Sequence, residues 1–126
     1  MEKPIELTGP GGRFHEAGVF VAKQILVERG WSILPTNDRW RHEGRGLIPD
    51  LIAERGDNRT RRKVRMVVEI ETRRRAKEMA SREAYYTDVF PPKAEKFVVI
   101  PLYQLERGAV RDSLKAIREI VQGALP

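Results

Sequence analysis

Two stretches decide the fold: Leu47-Ile48-Pro49-Asp50-Leu51-Ile52-Ala53 and Val64-Arg65-Met66-Val67-Val68-Glu69-Ile70-Glu71. Each is a short aliphatic run rich in β-formers, and the polar turn centred on Asp57-Asn58-Arg59-Thr60 joins them, so the pair reads as a hairpin. Side chains alternate faces along a strand, which puts Met66, Val68 and Ile70 on one side and Val67, Glu69 and Glu71 on the other. Ile48, Asp50 and Ile52 share a face in the same way. A strand apolar on both faces belongs inside a sheet, where Asp and Glu are rare unless paired or bound to a cation.

A turn centred between Arg59 and Thr60 sets the register. It opposes Val67 to Ile52, Glu71 to Ile48 and Glu69 to Asp50. Directly opposed side chains lie about 4.5–5.5 Å apart at Cβ, and like charges at that spacing repel. Something positive is therefore expected between Asp50 and Glu69, and a hard divalent cation on carboxylate oxygens is the natural candidate. The competing reading has Asp50 in a turn after Pro49 and the glutamates facing solvent on an edge strand.

Outward from the hairpin, Arg13–Arg29 lacks proline, is dense in apolar residues and is closed by Gly30, which predicts a largely buried helix. Trp31–Leu34 reads as a strand ended by Pro35, and the polar stretch 36–46 follows it. Thr72 is placed to cap a helix over about Arg73–Asp88, stopped by Pro91-Pro92. Lys96–Leu102 reads as a buried strand. Glu106–Gln122 reads as an amphipathic helix with Val110, Leu114, Ile117, Ile120 and Val121 inward. The expected order is α-β-β-β-α-β-α, an α/β fold with a central mixed β-sheet flanked by helices. Residues 1–12 read as irregular, and 126 residues suit a single domain.

Composition narrows the function. The chain has no cysteine, which excludes disulfides, thiolate metal sites and cysteine nucleophiles. No apolar run approaches the roughly 18–20 residues of a membrane span, and the N-terminus lacks a secretory signal, so an intracellular, cytoplasmic protein is expected. The formal charge is +6, and ten basic against three acidic residues between Arg55 and Lys77 account for all of it. Such localised, arginine-rich charge is either an electrostatic footprint for a polyanion or an ion-paired, solubilising surface. Arg59, Arg61, Arg62 and Lys63 in the hairpin turn, Arg73, Arg74 and Arg75 at the helix start, and Arg41 beside Trp40 are the candidate phosphate contacts. Trp40 either stacks on a base or ribose or pins its loop to the body. His15 and His42 are too few and too far apart in sequence for a zinc pair.

Pro49-Asp50, eighteen intervening residues and then Glu69-Ile70-Glu71, on neighbouring strands after a leading helix, resembles the PD-(D/E)XK nuclease superfamily. The stretch from Glu16 through Arg29-Gly30-Trp31 to Thr72 is similar to its archaeal Holliday junction resolvase branch, and the resemblance covers about residues 16–88. It implies a restriction-endonuclease-like fold and a metal-dependent endonuclease acting on DNA, branched or junction DNA included. Asp50 and Glu69 would bind Mg²⁺, with Mn²⁺ as a substitute, and Glu16 would support the metal or its water. Two residues after Glu69 the family usually carries lysine. Here Glu71 stands instead, so it serves as base or metal contact, or Lys77 on the following helix replaces the lysine, or activity is lost. A twofold homodimer is expected for a substrate with two equivalent strands. The alternatives are a catalytically degenerate nucleic-acid-binding protein of the same fold and a ribonucleoprotein component whose acids are structural.

Overall fold

A computed structural model of the chain describes residues 13–105 and 113–126. Helix α1 spans Arg13–Glu28, strand β1 Ser32–Ile33, β2 Leu51–Gly56, β3 Lys63–Glu71, helix α2 Ala76–Ala84, β4 Lys96–Pro101 and helix α3 Leu114–Ala124. Short 3-10 turns at Asp38–Trp40 and His42–Gly44 lie between β1 and β2, and a π turn at Tyr85–Val89 continues α2. This is an α/β arrangement with one four-stranded mixed sheet in the order β1-β2-β3-β4. The first two pairings are antiparallel and β3–β4 is parallel, so the return from β3 to β4 needs a crossover, which α2 provides.

The β2–β3 register pairs Ile52 with Val67, as the turn position predicts. The turn closes through Asp57 N–H to the Arg62 carbonyl at 2.8 Å and Arg61 N–H to the Asp57 carbonyl at 2.8 Å, with Arg61 at φ +57°. Alternation along β3 then sorts the core into two layers. Met66, Val68 and Ile70 join Phe14, Ile25, Leu26, Ile117 and Val121 on the side of α1 and α3. Val67 and Ile52 join Trp40, Tyr86, Phe90 and Ala94 on the side of α2.

Several boundaries differ from the sequence expectation. The ladder ends at Leu51–Val68, so Ile48 and Glu71 are not strand partners; Pro49 has no N–H to donate, and the chain before it turns away. Ile48 still packs in the layer that holds Ile52. Helix α2 begins at Ala76 rather than Arg73, with Arg75 at φ −134° and ψ 61° as its N-cap and no side-chain cap, so Thr72 does not cap it. Helix α1 is buried on one face only: Phe20 and Val27 are 59% and 60% exposed. It ends on Gly30 at φ +86°, with Trp31 N–H returning to the Leu26 carbonyl at 2.9 Å, a glycine-dependent cap. Trp31 is buried, and on α3 Leu114 is exposed while Ile117 and Val121 are buried. Residues 1–12 and the expected helical start at 106–112 lie outside the described residues.

Gly18 fixes how close α1 comes to the sheet. A Cβ there would sit 2.6 Å from Leu102 Cδ1 and 3.0 Å from Ile70 Cγ2. A side chain there would force these two buried neighbours to shift, so the glycine permits the close packing of α1 on Ile70 of β3 and on Leu102.

Candidate active site at the ends of β2 and β3

Asp50 and Glu69 meet just beyond the last rung of the β2–β3 ladder. Asp50 N–H donates to Glu69 Oε1 at 3.2 Å, and Ile70 N–H donates to Asp50 Oδ2 at 2.7 Å. Each carboxylate thus clamps the other's strand, and the two acids stand side by side as the register predicts. Glu69 is only 3% exposed. Burial, followed by the neighbouring Asp50 charge, pushes its carboxyl up to about 7 against the pull of Arg82.

Two side chains outside the expected site residues, Arg82 and His15, partner this pair. Arg82 on α2, 4% exposed, donates from Nη1 to Glu69 Oε2 at 2.5 Å and from Nη2 to Glu78 Oε1 at 2.6 Å. Burial works against its charge, but Glu69 and Glu78 overcome this and hold the guanidinium above its ordinary value. Its Nε is buried without a partner. On the other flank His15 Nε2 lies 2.9 Å from Asp50 Oδ1. That hydrogen bond raises the imidazole despite partial burial, and the charges of Asp50, Glu69 and Glu16 add to the effect. All four carboxylate oxygens therefore already carry a protein donor.

Of the remaining expected site residues, Glu71 is 6% exposed on the Glu69 face. Burial raises its carboxyl, opposed by a backbone hydrogen bond from Arg75 and the charges of Arg74 and Arg75. Glu16 is exposed; its neighbour His15, rather than Glu16, reaches Asp50. Lys77 is exposed on α2, and the α2 residue that contacts Glu69 is Arg82. The stripe Glu78-Arg82-Tyr86, spaced four and four, was the available signal: two charges in line with an aromatic mark a face turned to the body. His15 had none beyond its place beside buried Phe14. Among the described residues no three His, Asp or Glu side chains converge so as to hold a metal ion.

The basic residues fall into two separate groups. Arg73, Arg74 and Arg75 are exposed immediately after β3, next to Glu71. Arg59, Arg61, Arg62 and Lys63 are exposed at the opposite end of that strand, about 20 Å from Glu69 at the strand's rise per residue. Arg41 belongs to neither group; it is held by Asp38 at 2.9 Å and by the Gly46 carbonyl at 3.0 Å. Trp40 pins its loop to the body. It is buried, stacks on Phe90 at 4.8 Å between centroids, lies under Arg65 at 4.9 Å, and its carbonyl accepts from the Tyr86 hydroxyl. Tyr86 faces the core, while Tyr85 packs edge-on against His42.

Set against known protein families, curated proteins and solved structures, the chain matches none. Among the described residues no helix is long and apolar enough to cross a membrane.

Proposed function

We propose that this chain is a PD-(D/E)XK-type, metal-dependent endonuclease acting on DNA inside the cell, with Asp50 and Glu69 as its metal-bearing pair. The observation that carries the reading is the reciprocal clamp of Asp50 and Glu69 at the strand ends, two acids side by side at the edge of a largely apolar layer. The element order and the mixed sheet, with β4 parallel to β3, support a restriction-endonuclease-like core.

The donor chemistry suits a hard cation, since Mg²⁺ is commonly held by one or two carboxylates with waters and substrate phosphate completing its shell. Bound there, Mg²⁺ or Mn²⁺ supplies Lewis-acid polarisation of the phosphate and a water of lowered pKa. The chain's own residues do the rest. Arg73, Arg74 and Arg75 hold the substrate backbone beside the acids through charge, independently of sequence. The hairpin group from Arg59 to Lys63 grips the same duplex further along. Arg82 and His15 keep the acids in place, and Glu71 is the remaining carboxylate on that face. A twofold homodimer would present one acid pair to each strand.

A second reading has its own support: Arg82 and His15 already engage both acids. On that reading the chain binds nucleic acid and does not cut it. Incubating supercoiled and branched DNA with the protein in Mg²⁺ or Mn²⁺ separates the two. Nicking that is abolished in Asp50→Ala supports the nuclease; DNA binding without any metal-dependent nicking supports the second reading.

A further inference from the structure

Beside Asp50 lies a cavity of about 360 Å³, lined by Lys23 of α1, Ile33, Leu34, Pro35 and Thr36 at the end of β1, and Asp50 and Leu51 at the start of β2. Ligand sites commonly run from about 300 to 1,000 Å³, so the space is of a size for one nucleotide unit. Its polar inventory is small. Asp50 is already engaged by His15 at 2.9 Å. Lys23 forms no ion pair or hydrogen bond among the described residues, so its charge is uncommitted. Thr36 adds a hydroxyl, and Ile33, Leu34 and Pro35 form an apolar wall.

We propose that this cavity receives a single unpaired nucleotide of the DNA strand, with its phosphate on Lys23 and its sugar and base against Ile33–Pro35. Lys23 thereby supplies, from α1, the substrate-facing cation that the strand position of Glu71 does not provide. The inference rests on the nuclease reading and deepens it: the preferred substrate is a strand end or an unpaired strand at a branch, delivered past Asp50 and Glu69 toward Arg73–Arg75. The cavity adjoins the acid pair, because Asp50 lines it and also bonds the Glu69 strand.

The test has two independent arms. In the first, thymidine 5′-monophosphate is titrated in EDTA into ¹⁵N-labelled wild type, Lys23→Ala and Lys23→Arg, and amide shifts are followed. Shifts confined to the cavity lining, at and around Lys23, Ile33, Leu34, Thr36, Asp50 and Leu51, abolished in Lys23→Ala and retained in Lys23→Arg, support the proposal. Shifts elsewhere, none at all, or shifts indifferent to Lys23→Ala overturn it. In the second arm, cleavage of a single-stranded oligonucleotide and of a blunt duplex is measured in Mn²⁺. Loss of one charge-assisted phosphate contact should lower single-strand cleavage roughly 10- to 100-fold in Lys23→Ala, with Lys23→Arg recovering most of it. Wild-type cleavage that Lys23→Ala leaves unchanged overturns the inference and spares the nuclease reading. A wild type that takes up the mononucleotide in the cavity and never cleaves overturns the nuclease reading and leaves the cavity a nucleotide site.

Discussion

Replacing Glu69 by glutamine should turn a pH-dependent stability into a flatter one. In the folded protein burial holds the Glu69 carboxyl at about 7, against an ordinary value of 4.5. As pH rises from 4.5, the unfolded chain gives up this proton first and the folded chain keeps it. Between pH 4.5 and 7 the folded state therefore binds more protons, and stability falls as pH rises through that window. A gap of about 2.5 pH units at 1.36 kcal/mol each gives about 3 kcal/mol lost by pH 8. Glutamine fills the same space and stays neutral throughout. In EDTA, the stability of Glu69→Gln minus that of wild type should therefore grow by about 3 kcal/mol between pH 4.5 and 8. At about 4 °C per kcal/mol for a chain of this size, the difference in melting temperature should widen by roughly 12 °C. Paired thermal melts by circular dichroism across that range are the assay. A difference that does not change with pH would refute the assignment of Glu69 as a buried, reluctantly ionised acid.

Other perturbations have equally definite outcomes. Arg82→Met keeps the side-chain volume but strands Glu69, so at pH 8 it should cost about 3 kcal/mol; at pH 5, where Glu69 is neutral, denaturant melts should show most of that loss gone. Gly18→Val drives a side chain into Leu102 and Ile70 and should cost about 3 kcal/mol by overpacking, while lifting α1 far enough to loosen the His15–Asp50 contact, visible in the His15 imidazole NMR shifts. Replacing Arg73, Arg74 and Arg75 together by alanine should lower the salt slope of DNA binding by about 2 to 3; an unchanged slope in anisotropy titrations would remove them from the interface.

The β2–β3 hairpin was legible because a two-residue alternation and one turn position suffice to set which side chains oppose. That logic put Asp50 beside Glu69 without any tertiary information, and the structure adds the reciprocal backbone hydrogen bonds. The partners of those acids were not legible in the same way. Which face of a helix meets a sheet end depends on crossing angle and approach distance, here set by Gly18 against Ile70 and Leu102. His15 and Arg82 reach the acids only through that packing. Lys77 lies on the helix that contacts Glu69, but α2 turns Arg82 and Tyr86 inward and leaves Lys77 exposed. The cluster of basic residues reads as continuous in sequence between Arg55 and Lys77. In space β3 divides it, leaving one part beside the acids and the other at the far end of the strand.

The most direct measurement is a calorimetric titration of Mn²⁺ into wild type, Asp50→Asn and Glu69→Gln at pH 8. The nuclease account predicts saturable binding by wild type that both variants lose. Heats indistinguishable among the three proteins, or no binding to any of them, would contradict it and leave Arg82 and His15 as the structural partners of the two acids.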